Sequence, residues 1–124
     1  MVLVDTSVWV DHLRRGDAAL VRLLAGAQVL THPFVIGELA LGRLSKRDAV
    51  LEALSSLPRA GVALDPEVLH FIEAAAIARS SVGYIDAHLL ASVRLTPGAT
   101  LWTRDRRLLA LAARMGCVWT PPQH

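Results

Sequence analysis

Short apolar runs alternate along the chain with amphipathic stretches, each bounded by a capping or breaking residue. "VLV" (Val2–Val4) is apolar at consecutive positions, as a strand buried on both faces requires, and it stops at Asp5. "TSVWVDHLRR" places Val8, Trp9 and Leu13 at helical spacing and closes at Gly16. "DAALVRLLAG" predicts a second short helix with Asp17 as N-cap and Gly26 as C-cap. "QVLTH" predicts a strand, and Pro33 opens a helix at its first turn, where the missing N–H is no loss. "SKRDAVLEALSSLP" predicts a helix capped by Ser45 and stopped by Pro58, followed by a weak strand in "GVALD". "PEVLHFIEAAAIARS" and "YIDAHLLASVRL" predict two more helices. "ATLW" then predicts a strand, "DRRLLALAARMG" a helix and "CVWT" a final strand. Strands and helices in alternation with short links predict an α/β fold. It is expected to be an open, mostly parallel sheet of four to five strands flanked by helices, in one domain over residues 1–124.

Composition narrows the class. Hydrophobic residues make up 53% of the 124 and the mean hydropathy is +0.42. No apolar run reaches the roughly 18 uncharged residues of a membrane span, and "MVLVDTSVW" has no basic region ahead of its apolar residues, so neither a membrane segment nor a secretory leader is expected. The surplus apolar surface is expected to serve an interface, a homodimer being the simplest. A single cysteine, Cys117, excludes an internal disulfide framework and fits a reducing cytoplasm. The net charge of +2 does not by itself call for nucleic acid. Lys46 is the one lysine, however, and the remaining basic side chains are arginines, whose forks match phosphate oxygens. GC-rich coding produces the same bias.

The acids carry the chemistry. Glu38 interrupts the apolar helix "FVIGELALG", and the positions three and four away from it are Phe34, Val35, Leu41 and Gly42, none able to pair with a charge. Asp86 is followed at those offsets by Leu89 and Leu90, and Asp105 by Leu108 and Leu109. Asp11, by contrast, has Arg14 and Arg15 at that spacing, an ordinary surface ion pair. In open α/β sheets sites form beyond the carboxyl ends of the strands. Asp5 and Asp105 lie just past "VLV" and "ATLW", Glu38 about two turns into the helix after "QVLTH", and Asp86 at a helix start feeding "ATLW". Taken singly, Asp5, Asp86 and Asp105 also suit helix N-termini as caps; Glu38 lies too deep in its helix for that. Four carboxylates brought together require a cation to stay ionised, and their oxygens suit Mg²⁺ or Mn²⁺. Such a site can activate water against a phosphodiester, with one ion or two. No histidine–cysteine cluster points to zinc.

In order and spacing, "VDTSVWVDHLR", "HPFVIGELALG", "GYIDAHLLAS" and "LWTRDRRL" resemble the motifs of PIN-domain ribonucleases, specifically the VapC toxins of prokaryotic toxin–antitoxin pairs, nearly end to end. The resemblance implies a PIN-like α/β/α sandwich and a metal-dependent endoribonuclease, commonly a homodimer, whose site is covered by a VapB-type antitoxin. It implies that Asp5, Glu38, Asp86 and Asp105 form the metal site and that Ser7 and Thr103 support it through their hydroxyls. Arg107 departs from the family, many of whose members carry a further acid there, and Leu108 replaces an aromatic residue. The missing carboxylate bears on whether a second ion binds.

Arg104, Arg106 and Arg107 flank Asp105 at a helix N-terminus, where positive charge opposes the macrodipole. Phosphate contact with RNA is the functional expectation, a solvated basic turn the bland one. His88, two residues from Asp86, is expected at the surface or an interface, and His70 at the core edge. His12, His32 and Trp9 are candidates for touching RNA, and the tryptophans otherwise fill the core. Two other classes compete. One is a catalytically silent dimeric interaction module. The other is a phosphoacceptor-aspartate domain, which fits badly because Ser7 stands where the phosphatase type needs a second acid and Lys46 opens a helix instead of ending a strand. The RNA cleaved and its sequence preference are not encoded in any motif here.

Overall fold

The computed structural model describes residues 1–122. Its centre is β1 (Val2–Val4), every residue buried, as its unbroken apolar run requires. β1 pairs in parallel with β2 (Val29–Leu30) on one side and β3 (Thr100–Trp102) on the other, giving the order β2–β1–β3. The register sets Leu3 opposite both Leu30 and Leu101. Two single parallel bridges extend the sheet, Thr31 with Arg59 outside β2 and Leu101 with Val118 outside β3; the second is what remains of the predicted strand "CVWT", while the first lies just ahead of "GVALD". At the first, the Ala60 N–H donates to Thr31 O, but the next amide, Gly61, donates to the Thr96 hydroxyl instead. The chain leaves the sheet there, so "GVALD" never forms a ladder.

Seven helices flank this sheet among the described residues: α1 (Thr6–Arg15), α2 (Ala18–Ala25), α3 (Pro33–Leu41), α4 (Arg47–Ser55), α5 (Asp65–Ala74), α6 (Tyr84–Leu95) and α7 (Arg106–Arg114). This is an α/β sandwich on a parallel sheet. Asp17 caps α2 by accepting from Leu20 N. Ser45 does not cap α4; Lys46 takes that position in a left-handed conformation, φ 52°. α5 stops at Ala74, short of the predicted Ser80, where Ala76 and Arg79 turn to positive φ. None of these helices is long and apolar enough to cross a membrane.

α6 is the structural spine. Ala87 to Val93 are buried without a break, so the helix is surrounded by protein instead of presenting one stripe. α3 is joined to it by a fully buried imidazole. His32 Nδ1 accepts from Phe34 N and so caps α3, which leaves the proton on Nε2, 3.0 Å from Ser92 Oγ on α6. Burial, followed by the charges of His88 and Arg59, lowers the His32 pKa to about 4, so the ring is neutral. His32 and Trp9 are buried and cannot meet RNA. His88 is buried as well, packed edge-on against Phe34 and Tyr84 with Nε2 3.2 Å from Asp65, and not at the surface. His70 is exposed, not at the core edge.

Candidate metal centre

Asp5 leaves the end of β1 and occupies the N-cap position of α1, yet its side chain makes no capping bond. Its Oδ2 instead accepts from Ser7 Oγ and Thr103 Oγ1, each at 2.7 Å, in a buried setting. Ser7 reaches it from the first turn of α1 and Thr103 from the residue after β3, so two neighbouring strand ends are locked through one carboxylate oxygen. The turn continues the chain of bonds: Thr103 Oγ1 accepts from Asp105 N at 3.1 Å, and Ser7 Oγ accepts from Arg104 N at 3.0 Å.

Glu38 rides on α3, which packs against α1. Thr6 Oγ1 donates to its Oε1 at 2.7 Å. Sequence reasoning misses this hydroxyl, although it sits inside "DTS". Helical offsets search only within one helix, and Thr6 is 32 residues away on another. Asp105 caps α7, its Oδ1 accepting from Arg107 N and Leu108 N at 2.9 and 3.1 Å. Asp86 lies in the first turn of α6, half-buried, and accepts no hydrogen bond among the described residues.

A common arrangement emerges. Asp5, Glu38 and Asp105 each have one oxygen held by the protein and the other, Oδ1, Oε2 and Oδ2 respectively, without a protein donor. Asp86 has both oxygens free. Burial, then the charges of Asp5, Asp105 and Glu38 in that order, push the Asp86 carboxyl up to about 6. The charges of the other three acids thus all reach Asp86. Among the described residues no three of them yet close into a finished chelate. The donor set is nonetheless of the kind a hard divalent cation takes: all oxygen, mutually repelling, with oxygens left free of protein donors among the described residues.

The three arginines around Asp105 part company. Arg106 and Arg107 are exposed and make no ion pair among the described residues. Arg104 turns away from the acids to Asp11 and Asp17. Asp11, read from the sequence as an ordinary α1 surface pair, thus binds Arg104 at 2.6 Å as well as Arg15 at 3.5 Å. Beside Glu38, a cavity of about 570 Å³ opens between α1 and α3, with Arg14, Arg43, Leu13 and Leu44 in its walls. That volume lies within the range of small-molecule sites and would admit a nucleotide.

The parallel sheet with acids at its strand ends is an α/β sandwich, and the family model that matches this chain is the PIN domain, over residues 2–114. The chain belongs to the PIN-domain family. It is similar to Ribonuclease VapC32 of Mycobacterium tuberculosis, at 48% identity over 116 residues covering 94% of each chain. The match is the same for the protein of strain CDC 1551 / Oshkosh and for that of strain ATCC 25618 / H37Rv.

Proposed function

We propose that this chain is a metal-dependent endoribonuclease toxin that hydrolyses RNA phosphodiester bonds. What carries the proposal is the PIN-domain match over residues 2–114 with 48% identity to a ribonuclease, and the Asp86 carboxyl pushed up by burial and by Asp5, Asp105 and Glu38 supports it. Asp5, Glu38, Asp86 and Asp105 would hold Mg²⁺ or Mn²⁺. Such an ion, when bound, supplies Lewis-acid polarisation of the phosphodiester and hydroxide at neutral pH.

The chain's own residues do the positioning. Ser7 and Thr103 fix Asp5, Thr6 fixes Glu38, and the α7 amides fix Asp105, each leaving one oxygen free for a cation. Asp86 must shed its proton to join them, so at limiting metal the activity should fall as the pH drops below about 6, and added metal should move that limb lower. Arg106 and Arg107 at the rim would grip phosphates, and the cavity beside Glu38 would receive a flanking nucleotide. The exposed Leu64, Leu69 and Leu95 support a homodimer. In this reading the protein works in the cytoplasm, restrained by a VapB-type antitoxin.

The test is cleavage of a structured RNA by wild type, Glu38→Gln and Asp5→Asn, with Mg²⁺ and with chelator. Wild type alone should cut, only with metal, leaving 3′-hydroxyl and 5′-phosphate ends. Full activity in either variant overturns the site, and 2′,3′-cyclic phosphate ends overturn the hydrolytic mechanism.

A further inference from the structure

Arg104 sits between two site residues, Thr103 and Asp105, yet its guanidinium points out of the site. One nitrogen donates to Asp11 Oδ2 at 2.6 Å, the other to Asp17 Oδ2, and the guanidinium carbon lies 5.4 Å from the centre of the Trp102 ring. The two acids are not loose surface groups. Their side chains are 28% and 18% exposed, Asp17 caps α2 with its other oxygen, and its own amide is held by His12 Nδ1 at 3.0 Å. Burial alone would raise the Asp17 carboxyl, but the Arg104 bond and the Leu20 amide bring it below the usual range. The acids that hold Arg104 are thus seated in the rigid corner between α1 and α2.

We infer that Arg104 is a positioning residue: by bridging Asp11 and Asp17 it pins the Thr103–Asp105 turn from outside, so that Thr103 can hold Asp5 and Asp105 can face the centre. The inference rests on the reading of Asp105 as a site acid. Three features favour a brace over a phosphate contact. Both guanidinium arms are committed to carboxylates, the ring of Trp102 covers one face, and two acids beside the arginine would repel an approaching phosphate. The backbone of Arg104 serves the same end, its N–H donating to Ser7 Oγ, which in turn donates to Asp5.

Hydrogen exchange tests the brace without any reference to RNA. In Arg104→Ala the amides of Asp105 and Arg107, which the turn protects, should exchange about tenfold faster, while the α6 amides keep their rates. Unchanged exchange at Asp105 and Arg107 overturns the inference. In RNA cleavage, Arg104→Ala should lower kcat about tenfold, the range found when groups supporting metal ligands are removed, with KM and the salt slope of binding unchanged. Asp11→Asn and Asp17→Asn should act in the same direction, and combining either with Arg104→Ala should add little. A phosphate-contacting Arg104 predicts the opposite: the salt slope falls by about one in Arg104→Ala, and Asp11→Asn and Asp17→Asn tighten RNA binding. Arg104→Lys, which keeps the charge, and Asp11→Asn carry the exchange measurement if Arg104→Ala does not fold. A wild type that cuts no RNA defeats the ribonuclease proposal, while the exchange result still decides the role of Arg104.

Discussion

Asp86 is the most exposed to its neighbours' charge, and its behaviour is the most measurable. The fold holds the Asp86 proton more tightly than the unfolded chain does, with a pKa of about 6 against 3.8. Metal-free protein should therefore lose stability as pH rises from about 4 to about 6. His32 works the other way: its folded pKa of about 4 lies below the ordinary 6.5, so its contribution is full above about 6.5 and is lost as pH falls toward 4. The two trends oppose each other between pH 4 and 6. Asp86→Asn removes the first, and should raise the melting temperature at pH 7, by about 1 kcal/mol of stability once solvent screening of a half-exposed group is allowed for. It should also leave a steeper loss of stability toward acid. A melting temperature unchanged at pH 7 would mean that the acids do not repel one another there. At Glu38, Thr6→Val removes the one side-chain donor to the carboxylate among the described residues. The expected result is a 10–100-fold loss of cleavage at limiting Mg²⁺ with partial recovery at high Mg²⁺.

The helices and strands were unevenly legible. α6 could be read to the residue, because "YIDAHLLASVRL" runs between Gly83 and Thr96 with no breaker. That it is buried nearly all round could not, because its pattern contains His88 and Ser92, and polar residues on an amphipathic helix are read as surface. Their partners, Asp65 for His88 and His32 for Ser92, come from other elements. The outer strands failed for a related reason: apolar runs fix the potential to extend, whereas pairing depends on which amides a distant side chain captures, as Thr96 captures Gly61. The His32–Ser92 link is testable. Ser92→Ala leaves the His32 Nε2 proton buried without its acceptor and should destabilise the protein by about 1–3 kcal/mol in denaturant melts. Ser92→Thr keeps the hydroxyl and should lose less.

For the molecule as a whole, the strand-end rule places Asp5, Glu38, Asp86 and Asp105 toward one edge as an expectation from the order of the chain alone, and the upward shift of Asp86 by the other three is what supports it. What the sequence could not supply was the division of labour among the basic residues. "TRDRR" reads as one cationic cluster, yet Arg104 is taken up by acids 87 and 93 residues earlier in the chain, and only Arg106 and Arg107 stay without an ion pair among the described residues. Replacing both with Ala should weaken RNA binding evenly across sequences. The salt slope should fall by about one for each phosphate no longer neutralised, with kcat little changed. An unchanged slope would remove the rim arginines from the RNA path.

The site stands or falls on whether these four acids share one cation. The direct measurement is the pH titration of the Asp86 carboxyl carbon by NMR, without metal and with millimolar Mg²⁺. A midpoint near 6 in metal-free protein that drops when Mg²⁺ is added, and that also drops in metal-free Glu38→Gln, is the predicted result. A midpoint near 4 that neither Mg²⁺ nor the Glu38 substitution moves would contradict it.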